Sequence, residues 1–183
     1  ALACVNAGAD IFVHTYNGMS GLHHREPGMV GAAMTTHGTY AEAICDGHHL
    51  NPIAVRALVN AKGYDHTVLI TDCMRAGGMP NGQYKLGDFP VVVEGGTARL
   101  MDESHSLAGS ILRLFEGVKN VFDWGIVSAE EAVRMASENP ARSCGIDDVC
   151  GFIRPGYDAD FIVVTKDLQL EETFLGGKSV YKA

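Results

Sequence analysis

The sequence predicts an α/β fold built on a parallel sheet, and three observations carry that prediction. Three short apolar runs each end on a polar residue: Ile11-Phe12-Val13 at His14, Ala41 to Cys45 at Asp46, and Thr67 to Thr71 at Asp72. Runs of this length suit strands buried on both faces, as in parallel sheets. The polar ends are spaced by 32 and 26 residues, about one βα unit each. A complete helix signature stands between the second and third runs. This order fits part of a barrel or of a doubly wound sheet, and in both the chemistry gathers at the C-terminal strand ends.

Each element can be justified in turn. Residues 1–9 read as the end of a helix closed by Gly8, entering the first strand. The chain opens on Ala1, so a preceding N-terminal part is expected. Asn51-Pro52 opens the clearest helix, with Asn51 as N-cap and Pro52 at the first helical position, and Gly63 ends it. Residues 75–88, rich in Gly, Pro and polar groups, read as a long loop. Phe89 to Leu100 reads as a hairpin turning at Gly95-Gly96. A helix is expected from about Ser110 to Trp124. Ser128 and Glu131 have capping-box spacing and start another, to about Glu138. Asn139-Pro140 should break it, with a short helical turn following to Gly145. The tail from Asp158 reads as β-strands joined by turns.

Composition narrows the function classes. The 183 residues are 46% hydrophobic and 20% charged, enough to bury a core, and the net charge is −8. An acidic chain is a poor partner for nucleic acid, which demands clustered Lys and Arg. No apolar run approaches the ~20 residues of a membrane span. The five cysteines are odd in number and form no CxxC pair. They read as small buried residues in a reducing cytoplasm, neither a disulfide framework nor a structural zinc site.

The histidines carry more. Six of the eight lie in the first 50 residues. His14, Asp46 with His49, and Asp72 each follow a strand closely and would converge on one face. Imidazole is a good zinc or iron ligand, and a carboxylate beside a metal can take a proton from water. By spacing alone, helix caps and loop hydrogen bonds explain such residues equally well. His23, His24, His37, His66 and His105 have no strand-end position and read as surface or loop. Phe115, Phe122 and Trp124 read as core. Gly77-Gly78 and Gly95-Gly96 read as turns, and Asp102-Glu103 as a solvated turn.

His14-Thr15-Tyr16-Asn17-Gly18-Met19, followed by Arg25-Glu26-Pro27-Gly28, resembles the N-acetylglucosamine-6-phosphate deacetylase family of the amidohydrolase superfamily. Further motifs agree in order: Asp46-Gly47-His48-His49, Thr71-Asp72, Leu107-Ala108-Gly109-Ser110, Asn139-Pro140-Ala141, and Pro155-Gly156-Tyr157-Asp158-Ala159-Asp160. The resemblance covers essentially the whole chain. It implies the C-terminal part of a (β/α)8 TIM-like barrel, about strands 6–8 and the following helices. Residues 1–150 would form that part, with a β insertion near 84–100, and 151–183 a segment of a small β domain.

The resemblance also implies roles. The reaction would be metal-dependent hydrolysis of the N-acetyl group of N-acetylglucosamine 6-phosphate, giving acetate and glucosamine 6-phosphate. His14 matches a metal ligand. Asp72 matches the general base that activates water and then protonates the leaving amine, and it is a possible metal ligand too. Asn17, Gly18 and His49 match substrate-binding positions. Arg25 matches the arginine that grips the 6-phosphate, which in the family can reach in from the other subunit of a homodimer. Leu107, Ala108 and Gly109 match a loop covering the sugar. The cofactor would be a divalent metal, zinc or iron, with its remaining ligands expected upstream of residue 1, so the chain by itself is expected to be inactive. Val13, Gly18 and His48 depart from the usual wording; His48 stands where an apolar residue is common. A cyclic-amide hydrolase or deaminase, or a non-catalytic sugar-phosphate-binding module, are the alternatives.

Overall fold

Three short parallel strands frame the candidate site. A computed structural model describes residues 1–183. Helix α1 (Leu2–Asn6) leads through Gly8 into β1 (Ile11–Phe12). Helix α2 (Gly28–Thr35) returns the chain to β2 (Tyr40–Ile44), and α3 (Pro52–Lys62) returns it to β3 (Thr67–Ile70). The sheet order is β1-β2-β3, all parallel, with Phe12 opposite Ala41 and Ala41 opposite Thr67. This is the expected βα order, with β2 one residue earlier than the apolar pattern placed it.

Local chemistry explains the boundaries. The Asn51 side chain accepts the Ile53 N–H at 2.9 Å, and Pro52 needs no partner at the first position of α3. Gly63 closes that helix at φ +87°, a conformation that favours glycine. Ser128 and Glu131 form the capping box: Ser128 Oγ accepts Glu131 N–H and the Glu131 carboxylate accepts Ser128 N–H.

Side-chain alternation sorts β2 into two faces. Ala41, Ala43 and Cys45 point into the main core, with Leu58, Leu69, Val121 and Met135 from α3, β3, α4 (Leu114–Asp123) and α5 (Ala129–Ala136). Glu42 and Ile44 point to the opposite face. Phe115, Phe122 and Trp124 pack against the core half-buried, as expected. No helix is long and apolar enough to cross a membrane.

Several expectations are corrected. The segment 75–88 is not all loop: β4 (Gly82–Leu86) pairs antiparallel with β5 (Phe89–Glu94), and β6 (Thr97–Leu100) completes a three-stranded meander. Gln83, Tyr84 and Lys85 carry little apolar signal, and it is pairing with β5 that makes them a strand. Ser110 does not start a helix; it pairs as an isolated parallel bridge with Cys73, and α4 begins at Leu114. Pro140 lies inside α6 (Glu138–Ser143), where the first turn leaves its missing N–H harmless; the break falls at Ser137. The cysteines are not uniformly buried: Cys4, Cys73 and Cys144 are exposed, Cys150 is intermediate and Cys45 is buried. Burial, with Asp46 beside it, pushes the Cys45 thiol up to about 12. His66 sits half-buried in a 3₁₀ turn, its ring 5.5 Å from that of Tyr40.

A second antiparallel sheet, β7 (Phe161–Val164), β8 (Leu170–Leu175) and β9 (Lys178–Lys182), ends the chain, with Phe161 and Phe174 stacked at 4.5 Å. Asn139, fully buried in α6, donates to the carbonyls of Tyr64 at 2.6 Å and Thr67 at 2.8 Å, tying that helix to the start of β3. Asn139→Ala leaves both carbonyls without these donors, so it should lower unfolding free energy by about 2–3 kcal/mol in urea titration.

Candidate active site

Each strand end turns abruptly. His14 has φ +33° and Asp72 φ +47°, left-handed values that non-glycine residues rarely hold. Such backbone costs roughly 1–3 kcal/mol per residue and persists only where neighbours enforce it. Both turns lie at the C-terminal edge of the parallel sheet, where the sequence placed them.

The His14 turn is held from several sides. Its N–H donates to Glu42 Oε2 at 3.1 Å, and the next amide, Thr15 N–H, donates to the Glu42 carbonyl at 2.9 Å. Thr15 is fully buried, with its hydroxyl donating to the Phe12 carbonyl. The His14 ring pairs through Nδ1 with the Asn17 carbonyl at 3.0 Å. Since a carbonyl only accepts, Nδ1 carries the proton and Nε2 keeps its lone pair for a ligand.

Asn17 and Gly18 follow directly. The Asn17 N–H is committed to the His14 carbonyl at 2.9 Å, whereas the Gly18 N–H makes no bond within the chain. Gly18 is exposed, and its φ is +67°. Of this pair's backbone donors, the one available to a ligand is therefore that of Gly18.

At the second strand end, Asp46 organises the loop that carries His49. Its Oδ1 accepts the N–H groups of His48 and His49, each at 2.8 Å, and its Oδ2 accepts His49 Nδ1–H at 2.6 Å. Both side chains are nearly buried. Burial pushes the Asp46 carboxyl up, but the hydrogen bonds from the His49 ring and from the His49 and His48 amides, with the His49 charge, outweigh it and hold the carboxyl below its usual range. His49 again keeps Nε2 free. His48 is exposed and lies against the turn at Gly96.

The third end is bracketed by the segment after β6. Ser110 N–H donates to the Asp72 carbonyl at 2.8 Å, Met74 N–H donates to the Ser110 carbonyl at 2.9 Å, and the Ser110 hydroxyl donates to the Thr71 carbonyl. Gly109, at φ +64°, passes so close that a Cβ there would stand 3.0 Å from the Asp72 carbonyl oxygen. Ala108 is anchored to the Ala98 carbonyl at 3.0 Å, and Leu107 bridges to Arg99. The loop Leu107–Gly109 is thus pinned between the meander and the Asp72 turn.

Arg25 is not drawn into this group. It is exposed on the loop before α2, donating from Nη1 to His24 Nε2 at 2.8 Å. Nor do the residues form a closed metal site: no group of three or more His, Cys, Asp or Glu is placed to hold an ion. Sequence reasoning missed Glu42 and the bracketing by Ser110. Glu42 looked like one polar residue inside an apolar run, and Ser110 looked like a helix start.

Comparison with known proteins adds independent findings. The sequence pattern of the amidohydrolase family matches residues 28–180. An N-acetylglucosamine-6-phosphate deacetylase of Vibrio furnissii is 45% identical over 181 residues, covering 99% of this chain and 45% of that protein. An N-acetylgalactosamine-6-phosphate deacetylase of Escherichia coli O157:H7 is 43% identical over 176 residues, covering 96% of this chain and 46% of that protein. The crystal structure of the N-acetylglucosamine-6-phosphate deacetylase of Thermotoga maritima superposes with a TM-score of 0.91 at 34% identity, covering 100% of this chain and 49% of that one. The chain spans about half the length of these two curated relatives.

The Asp46–His49 pair gives a pH test. A carboxyl lowered in the folded state stabilises fully above its unfolded value of about 4, and that stability is lost as pH falls through the folded value. Asp46→Asn should therefore lower Tm at pH 7, and the gap to the parent protein should shrink below about pH 4. Thermal melts across pH measure it; a constant gap would contradict the pairing.

Proposed function

Because this chain belongs to the amidohydrolase family, we propose that it supplies one side of an amino-sugar 6-phosphate deacetylase site, at the ends of about the sixth to eighth strands of a (β/α)8 barrel. The observation that carries the proposal is the pair of left-handed turns at His14 and Asp72, on one edge of one parallel sheet, with His14 Nε2 left free. Relatives at 45% and 43% identity that bear deacetylase names support it.

The residues fit a divalent metal in part. His14 is built as a ligand, because its other ring nitrogen is already committed to a carbonyl. The further ligands would come from outside these 183 residues, since a catalytic zinc normally has three protein ligands. Zinc and iron both suit imidazole. When bound, the ion would supply Lewis-acid chemistry, polarising the amide carbonyl and acidifying a water.

The chain's own residues do the rest. Asp72 takes the proton of the attacking water as a C–O bond forms, then delivers it to the amide nitrogen as the C–N bond breaks. Acetate and the free amine leave. Gly18 N–H and His49 Nε2 offer polar contacts to the sugar, and the pinned Leu107–Gly109 loop covers it. Arg25 presents the fork that suits a phosphate. Its exposure agrees with service to the active site of a second copy in a homodimer. Five free cysteines agree with a reducing, cytoplasmic setting.

The relatives' names divide between gluco and galacto epimers, so the class proposed is the N-acetylated hexosamine 6-phosphate, with N-acetylglucosamine 6-phosphate as first substrate. In the protein carrying this chain, Asp72→Asn should cut kcat for acetate release by about 10²–10⁴-fold; near-parental turnover would remove Asp72 from the chemistry. Arg25→Ala should lower kcat/KM for the 6-phosphorylated sugar by about 10–100-fold, reflecting loss of charge-assisted hydrogen bonds. The unphosphorylated analogue should barely respond. Equal losses on both would favour a cyclic-amide hydrolase or a deaminase.

A further inference from the structure

Glu42 takes no part in the chemistry described above, yet it holds the turn on which that chemistry depends. It lies in β2 opposite Val68 of β3, on the face turned away from the helices, with Ala41 and Ala43 fully buried on the other. It is half-buried and forms no ion pair. A partly desolvated carboxylate without a cationic partner is costly unless hydrogen bonds or a nearby positive charge offset it.

The partner it has is the His14 amide, at 3.1 Å from Oε2. β1 ends at Phe12, and by His14 the chain has turned to φ +33°. A backbone carbonyl of β2 would ordinarily receive the amides of an extended neighbour. Here the Glu42 carbonyl receives Thr15 N–H at 2.9 Å, and the Glu42 side chain supplies the acceptor for His14 itself. One residue therefore grips two successive amides, on both sides of the His14 α-carbon. With the ring tied to the Asn17 carbonyl, backbone and side chain of His14 are both restrained.

We propose that Glu42 is a positioning residue, whose carboxylate clamps the His14 amide so that the imidazole Nε2 is presented to the metal. The proposal rests on the reading of His14 as a metal ligand. Outer partners of metal-binding histidines typically change metal affinity by about 10–100-fold when removed.

The test uses the ¹⁵N-labelled protein carrying this chain, with amide hydrogen exchange at His14 and zinc titration followed at the His14 ring nitrogens. Glu42→Ala should speed His14 amide exchange and raise the zinc concentration for half-maximal shift, each by about tenfold. Exchange at the His49 amide should stay as in the parent chain. Glu42→Gln keeps the shape and an acceptor but loses the charge, so it should change both His14 readouts by about threefold. Parental values for both His14 readouts in the two variants would overturn the proposal. If Glu42→Ala does not fold, Glu42→Gln decides: a threefold change supports the clamp and parental values overturn it. His14→Ala separates the underlying reading. If the zinc-induced shifts at residues 15–18 survive His14→Ala, His14 is not the ligand; if they vanish while both Glu42 variants behave as parent, only the clamp fails.

Discussion

Parallel pairing of β1, β2 and β3 brings three distant points of the chain to one edge. Its registers end β2 and β3 level, Ile44 opposite Ile70, while β1 stops at Phe12 opposite Ala41, three residues short of the end of β2. A shift of one residue would turn each strand over. Ala41, Ala43 and Cys45 would then leave the core, and Glu42 would enter it. Core packing thus enforces the register, and the register carries Asp46 and Asp72 level past the C-terminal border of the sheet, with the His14 turn beside Glu42. The strands are short, so the chain turns as soon as it passes that border, and the left-handed residues sit where the turning happens.

Each strand end is then stabilised by a different device. His14 is clamped by Glu42 and by the Asn17 carbonyl, His49 is fixed by Asp46, and Asp72 is bracketed by Ser110 and the close approach of Gly109. Two of these devices leave an imidazole Nε2 without a partner in the chain, and the third leaves a carboxylate exposed beside the Leu107–Gly109 loop. That arrangement favours a ligand over a purely structural role.

What the sequence made legible follows from the range of each interaction. Asn51-Pro52 with Gly63, and Ser128 with Glu131, were readable because caps act within a few residues. Strand ends at His14 and Asp72 were readable because buried parallel strands are short apolar runs. The meander strand β4 escaped, since Gln83, Tyr84 and Lys85 are shaped by pairing with β5 and carry little apolar signal. Ser110 escaped because its partners, Thr71 and Asp72, lie nearly 40 residues earlier. Glu42 escaped for the same reason, its amide partner being 28 residues away. The motif resemblance supplied roles for Asn17, Arg25 and Leu107 that spacing alone did not, and a metal site closed by three ligands is absent from the geometry of these residues.

The most direct test of this account is anomalous diffraction from zinc-soaked crystals of the protein carrying this chain. The account predicts a peak about 2.0–2.1 Å from His14 Nε2, at the strand-end face shared with Asp72. A zinc peak confined to the exposed His23–His24 loop, with none at His14, would contradict it.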